Sequence, residues 1–285
     1  MKYIIMAGGN YEKWDTPRQL SKVNGEVVIE RTIRLLKENG IKDIAVSTNS
    51  KAFDYLGIPI LIHDNSYESK DGKISGYWVD AFYPTDDPTC YIFGDVYFSE
   101  EAIKTIINTK TNDIELFGSA PPFADIYPKY WIEPFALKVN NTKHLKEAIQ
   151  KTKELANEGK TWRKNPIMWD LWTVIKEVPL QTKADEYIYN YTAINDYTSD
   201  IDDKKDIDIL EIKIGGSKMV KVQCIRDYND LQLEKLVTTK DDPFIVTDER
   251  AKILVEKELV KVVEVIPEEK TPEKKPVAKK STKKK

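Results

Sequence analysis

Cysteine and histidine are both scarce, with two of each among 285 residues. So few soft or imidazole ligands argue against a zinc site, which takes four such side chains or three with an open position. Cys90 and Cys224 are too few for a disulfide framework and lie far apart in the chain. They read as buried thiols of a cytoplasmic protein, with one disulfide between them as the alternative. Long apolar runs are missing too. No stretch approaches the roughly 20 apolar residues that cross a bilayer, and only Tyr3-Ile4-Ile5-Met6 separates Met1-Lys2 from the first glycines, so neither a membrane span nor a signal peptide is expected. Net charge is small at −3, but it is unevenly spread: Ile266–Lys285 holds eight Lys against three Glu, leaving about −8 on the remainder. That tail has no aromatic side chain on which a base could stack, and Glu and Pro interrupt its lysines. It reads as a disordered, solubilising tail, and no specific nucleic-acid partner is expected. No internal repeat is present.

What remains supports a soluble globular chain, with 41% hydrophobic and 32% charged residues. The first half alternates strands and helices. Tyr3–Met6 reads as a buried strand. Val27–Glu38 is amphipathic, and Asn39-Gly40 stops it. Strands are expected at Asp43–Thr48, Ile58–Ile62, Cys90–Phe93 and Asp113–Ser119. Helices are expected at Ala52–Leu56, at Lys73–Tyr83, and after Ser99 through Ile107, with Ser99 as the cap. Strand–helix alternation with short connections implies an α/β fold around a Rossmann-like, mostly parallel, doubly wound sheet. Further on, Tyr130–Val139 reads as a strand, Thr142–Asn157 and Ile167–Ile175 as helices, and Asp203–Leu210 as a closing helix. Gly215-Gly216-Ser217-Lys218 has linker composition. Three units follow: a large domain over 1–215, a small α+β domain over 216–266, and a disordered basic tail over 267–285. The middle unit has a short likeness to small domains of phage structural proteins. It is a candidate surface for homo-oligomerisation or for a phage-structure partner, which would make the protein virion-associated.

Three segments carry chemistry. Ala7-Gly8-Gly9-Asn10 follows the first strand, and small residues there let backbone N–H groups approach an anion. The nearby cations Lys13, Arg18 and Lys22 can neutralise phosphate charge. Asp95 follows the apolar run Tyr91-Ile92-Phe93 and Gly94, at the carboxyl end of a strand, where open α/β sheets place ligands. In Asp200-Ile201-Asp202 the side-chain period of an extended chain puts both carboxylates on one face. Carboxylate oxygens are the hard ligands Mg²⁺ prefers. The plainer alternative is an acidic turn before a helix, with Asp203 or Asp206 as its cap. Ser75 and Asn49 are candidates to touch the base or ribose, and Glu133 an acceptor hydroxyl. His63 and His144 read as structural or solvent-exposed. The middle-region aromatics Tyr127, Tyr130, Trp131, Trp162, Trp169 and Trp172 read as core, with a sugar platform as the alternative.

In order, these segments resemble the nucleotidyltransferases that join a nucleoside triphosphate to a phosphorylated sugar or alcohol. That family opens with a strand, A-G-G-x-G-x-R, then P-K-x-L and a small-residue turn. Ala7-Gly8-Gly9, Pro17-Arg18-Gln19-Leu20 and Asn24-Gly25-Glu26 match this pattern, with Tyr11 in place of the third glycine and Lys13 in place of the arginine. Gly94-Asp95-Val96-Tyr97-Phe98 is similar to its G-D segment. Asp200-Ile201-Asp202-Asp203 is similar to its late D-I-D segment, although Lys204 departs from its Thr-Pro. The resemblance implies a fold of the nucleotidyltransferase or GT-A type. It implies Mg²⁺ held by Asp95, Asp200 and Asp202, catalytic cations at Arg18 and Lys13, and nucleotide contacts from Ala7, Gly8, Gly9, Asn10 and Ser75. Its substrates would be an NTP and a phosphorylated small-molecule acceptor. A glycosyltransferase using a nucleotide-sugar donor is the alternative, although its usual D-x-D is reduced here to Asp95-Val96-Tyr97. A non-catalytic accessory protein that keeps the fold is the third reading.

Overall fold

The computed structural model describes residues 1–8, 14–63, 77–119, 132–161, 164–178, 190–214, 219–230 and 235–266. The chain divides into two compact units, Met1–Ile214 and Gly215–Lys285.

In the first unit the strands are β1 (Lys2–Met6), β2 (Lys22–Val23), β3 (Glu26–Val27), β4 (Ile44–Thr48), β5 (Ile60–Ile62), β6 (Thr89–Phe93), β7 (Val96–Tyr97), β8 (Ile114–Ser119), β9 (Pro134–Val139), β10 (Thr192–Ile194) and β11 (Ser199–Asp200). The helices are α1 (Val28–Glu38), α2 (Glu100–Asn108), α3 (Thr142–Asn157), α4 (Met168–Ile175) and α5 (Lys204–Lys213). Seven strands form the main sheet in the order β10-β8-β9-β6-β1-β4-β5. Parallel pairing joins β5, β4, β1 and β6, and also β8 and β10, while β9 runs antiparallel to both its neighbours. The expected Rossmann-like, mostly parallel sheet with flanking helices is what forms.

Strands β1, β4 and β6 are central, and that is why they read as near-continuous apolar runs rather than alternating ones. Ile4, Ile5, Val46, Tyr91 and Ile92 lie in one core with Phe117, Phe135 and Leu137. Helix α1 turns Ile29, Ile33, Leu35 and Leu36 into that core. It ends at Asn39, with Gly40 left-handed at φ 82°. Ser99 caps α2 through its hydroxyl, which accepts from the Ala102 amide at 2.9 Å. At the other end, the buried Lys138 ammonium donates to the carbonyls of Ile106, Ile107 and Thr109 at 2.7–2.9 Å. A cation there also suits the helix dipole.

One expected helix does not form as written. Of Lys73–Tyr83, residues 73–76 lie outside the described residues, and the rest holds a single 3₁₀ turn, Trp78–Ala81. Its Trp78 and Phe82 rings meet Phe93 and Tyr91 edge-on, so aromatic packing rather than helical period sets this segment. Lys51–Leu56 is likewise 3₁₀, capped by Ser50 and closed by left-handed Gly57. The linker segment 215–218 and the tail 267–285 lie outside the described residues.

The second unit pairs β12 (Met219–Cys224) with β15 (Phe244–Thr247) and β16 (Val260–Ile266), all antiparallel. Helix α6 (Asp248–Glu256) turns Ala251 and Leu254 toward Val220, Val222, Val246 and Val260. The sequence pattern predicts strands at Met219–Ile225, Phe244–Val246 and Leu259–Ile266 and a helix from Thr247 to about Glu258. It does not predict the hairpin of β13 (Tyr228–Asp230) and β14 (Lys235–Val237), where buried Asp230 pairs with Arg250 at 2.6 Å.

Both cysteines are free and buried. Burial in the apolar core pushes the Cys90 thiol up to about 12 from its ordinary 9.0, opposed by the charge of Lys138. A raised thiol value contributes stability that is intact below the unfolded value near 9 and is lost as pH rises through the folded one. Urea midpoints should therefore fall between pH 9 and 12, and Cys90→Ala should flatten that fall; an equally steep decline in the variant would contradict it. A second prediction concerns Gly94, whose amide donates to the Met6 carbonyl at 2.9 Å. A Cβ on Gly94 would stand 2.6 Å from that carbonyl oxygen, which is backbone and has little room to give. Gly94→Ala should lower stability by about 1–3 kcal/mol, measured by urea denaturation, whereas an unchanged midpoint would show that the two segments part freely.

Candidate functional site

Strand order reverses beside β1. The chain runs outward from β1 to β4 and β5, then returns to place β6 on the other side of β1. In open α/β sheets, the crevice at such a switch point, beyond the carboxyl ends of the strands, is where ligands bind. Here β1 leads into Ala7-Gly8, and β6 leads into Gly94-Asp95. The missing Cβ of Gly94 lets these two ends touch.

Ala7 departs from its expected role. Its amide donates to the Ser47 carbonyl at 2.9 Å and its carbonyl accepts from the Thr48 hydroxyl at 2.8 Å. Ala7 thus extends the sheet ladder, and any backbone cradle for phosphate begins at Gly8. Gly9, Asn10, Lys13 and Ser75 lie outside the described residues, as do Tyr127, Tyr130, Trp131 and Trp162.

Arg18 opens a short 3₁₀ turn, Arg18–Leu20, closed by bonds from the Leu20 and Ser21 amides to the Pro17 and Arg18 carbonyls. Successive residues of such a turn point about 120° apart. Gln19 is therefore buried and reaches toward Gly94, while Arg18 is directed to Asp95. The Arg18 guanidinium spans two carboxylates. Nη2 pairs with Asp95 Oδ2, and Nη1 donates to Asp202 Oδ1 at 2.7 Å. The charge of Asp95 first, then of Asp202 and Asp200, raises the pKa of Arg18 against the opposing effect of burial. Three segments separated by up to 184 positions thus meet at one side chain.

A small apolar cluster holds this arrangement. Val23, Val28, Tyr97, Ile201 and Leu210 are buried together, with Trp14, Tyr197, Ile207 and Ile214 packed around them. Strand β7 pairs antiparallel with β11, opposing Val96 to Asp200, and the Ile201 amide donates to the Asp95 carbonyl at 2.9 Å. Ile201 is fully buried, so the extended chain turns its neighbours Asp200 and Asp202 to the other face. Asp206 caps α5, accepting from the amides of Asp202 and Asp203 at 2.9 and 2.7 Å. The Trp14 indole donates to the Asp202 carbonyl at 3.3 Å. Asn24 and Gly25, at φ 49° and 80°, form the two-residue turn of the β2–β3 hairpin. The Asn24 amide is received by Glu211 at 2.8 Å. Behind β7, Arg31 stacks 4.6 Å from the Tyr97 ring centre and donates to the Phe98 carbonyl and to Glu26.

The remaining candidates lie elsewhere. Glu133, 4% exposed, does not present an open carboxylate to an acceptor; it receives the Ser199 hydroxyl at 3.3 Å and the Asp200 amide at 3.4 Å. Lys22 and Asn49 are exposed. His63 Nε2–H donates to the Asp80 carbonyl at 2.6 Å, and His144 Nδ1–H to Asp113 at 2.9 Å. Trp172 is buried in the main core, with Trp169 packed against it. A cavity of about 320 Å³ beside α3, lined by His63, Tyr83, Tyr91 and Lys146 among others, shares no residue with the Arg18 group.

Among the described residues, no group of three or more His, Cys, Asp or Glu side chains is placed to hold a metal ion, and no helix is long and apolar enough to cross a membrane. Sequence reasoning missed Trp14, Gln19 and Ile201. Ile201 carried a signal, as the one apolar residue between two aspartates, while Trp14 and Gln19 carried none.

No protein-family model matches the chain. Among solved structures, it is similar to a Bacillus anthracis protein assigned as a glucose-1-phosphate thymidylyltransferase, at 15% identity over 74% of this chain and 94% of that one, with a TM-score of 0.47. It is also similar to the inositol-1-phosphate CTP transferase from T. maritima, at 14% identity over 75% and 95%, with a TM-score of 0.43. The 2-C-methyl-D-erythritol 4-phosphate cytidylyltransferase from Thermus thermophilus matches at 12% identity over 74% and 97%, also with a TM-score of 0.43. Likeness this remote assigns no reaction to the chain.

Exposure separates the two carboxylates that Arg18 bridges. The Asp202 side chain is 60% exposed and that of Asp95 20%. Exposed ion pairs are worth about 0–1 kcal/mol. Asp202→Asn should therefore change stability by less than about 1 kcal/mol, and Asp95→Asn by more. Urea denaturation of both variants checks this, and an Asp202→Asn loss equal to that of Asp95→Asn would contradict it.

Proposed function

We propose that the chain is a Mg²⁺-dependent nucleotidyltransferase. It transfers a nucleoside monophosphate from an NTP to a sugar phosphate or similar phosphorylated acceptor and releases pyrophosphate. One observation carries the reading: Arg18 is bonded to both Asp95 and Asp202, and Asp95 follows β6 at the switch point of the sheet, where Gly94 touches the end of β1. A permanently charged guanidinium and two hard carboxylates, next to a strand end without bulky side chains, are the groups that a triphosphate requires. The motif order in the sequence supports the same reading.

In this scheme, an oxygen of the acceptor phosphate attacks the α-phosphorus in line. The bond from that phosphorus to the α–β bridging oxygen breaks, and its electron pair leaves with pyrophosphate. The attacking phosphate is already anionic, so no protein nucleophile or general base is needed. Positioning and charge neutralisation supply the rate. Arg18 neutralises charge on the α-phosphate as it builds, and Lys13 is the second cation. The motif order assigns Gly8, Gly9 and Asn10 to the phosphates and Ser75 to the nucleoside.

Asp95 and Asp202 fit a divalent ion: both are oxygen donors, both reach one cationic group, and Asp200 is close enough to act on that same group. Two or three carboxylates suit Mg²⁺, which usually completes its octahedron with water and phosphate oxygens. When bound, the ion would neutralise phosphate charge and orient the triphosphate.

The test is pyrophosphate release from each of the four NTPs with Mg²⁺ and a panel of sugar 1-phosphates and phosphocholine. At least one pair should turn over, and Asp95→Asn should lower kcat by roughly 100-fold or more. Silence across every pair would overturn the proposal.

A further inference from the structure

The groups assigned above to different partners are bonded to one another. Arg18, given to phosphate, is held by Asp95 and Asp202, given to the ion. An ion about 2.1 Å from the two oxygens that now accept from Arg18, Asp95 Oδ2 and Asp202 Oδ1, would displace the guanidinium from them, and the two cations would repel at close range.

We propose that Arg18 is a built-in placeholder cation: it occupies Asp95 and Asp202, which the fold already positions, until a divalent ion takes them, and then turns its guanidinium to the triphosphate. This rests on the nucleotidyltransferase reading. Without a cation, Asp95 and Asp202 would face one another as two negative charges, with a third on Asp200 near enough to act on the same group. Arg18 offsets that repulsion, while the buried Ile201 and the β7–β11 pairing hold the carboxylates in place. The arrangement also sets the order of binding. An ion arriving alone must break two charge-assisted bonds and leave the guanidinium without a counter-charge. An ion arriving with a triphosphate gives Arg18 a new anionic partner. Ion and triphosphate therefore bind cooperatively, each tightening the other by the same factor.

A merely structural bridge predicts the opposite response to mutation. If Arg18 only held Asp202 in place, removing it would loosen the carboxylates and weaken the ion. The experiment uses the full chain without nucleotide and Mn²⁺ as the probe, with free ion counted by electron paramagnetic resonance. Arg18→Gln should bind Mn²⁺ about five- to tenfold more tightly than wild type, the scale of one to two exposed ion pairs. Arg18→Lys keeps the charge but not the fork, and should fall between them; it serves if the glutamine variant does not fold. Equal or weaker Mn²⁺ binding by both variants would overturn the placeholder. If wild type nevertheless turns over an NTP in the pyrophosphate assay, the nucleotidyltransferase reading survives that failure. If wild type neither turns over nor binds Mn²⁺, and the variants bind none, both ideas fall together.

Discussion

The ion pairs of Arg18 with Asp95 and Asp202 are the contact on which the rest of the site depends. They join the loop after the first strand, the end of the fourth sheet strand in chain order, and a segment near the end of the first unit. Coulomb attraction at partly exposed positions is too weak to assemble such a group. The fold has to bring the charges together first. It does so by placing β1 and β6 side by side and by leaving Gly94 without a side chain against the Met6 carbonyl.

Apolar packing then sets the third member. Ile201 is driven into the cluster with Val23, Val28, Tyr97 and Leu210, and its amide is tied to the Asp95 carbonyl. A buried residue between two acids turns both acids outward on the same face. The hydrophobic effect is therefore the force that positions the carboxylates, and electrostatics decides what they bind. Capping of α5 by Asp206 stops the segment just beyond Asp202, so the acidic run serves two purposes. The plainer reading of that run, as a capped helix start, is correct for Asp206 and compatible with a binding role for Asp200 and Asp202.

Much of this was legible in the sequence because it is written in local patterns. Central strands announce themselves as apolar runs, α1 by its amphipathic period and Asn39-Gly40 stop, and α2 by Ser99. The convergence of Arg18, Asp95 and Asp202 followed from motif order rather than from any local signal. What stayed hidden depends on distant partners. The Trp78–Ala81 turn is set by aromatic rings from β6, the β7–β11 pair by a strand far along the chain, and the burial of Gln19 by Gly94. The ladder bonds of Ala7 were hidden as well: small residues after a strand signal room for an anion, but they do not say which amide the neighbouring strand has already taken. The turn of Glu133 toward Ser199 and Asp200 belongs to the same class, since only the tertiary fold brings residues 133 and 199 together.

The central claim is that Asp95 and Asp202 form one cation site at the switch point of the sheet, which Arg18 holds in the absence of a divalent ion. The most direct measurement is anomalous X-ray scattering from crystals grown with Mn²⁺ and a non-hydrolysable NTP analogue. The account predicts a single strong peak about 2.1 Å from carboxylate oxygens of both Asp95 and Asp202, with Arg18 turned onto the phosphates. A nucleotide bound with its Mn²⁺ away from these carboxylates, or with Arg18 still bridging them, would contradict it.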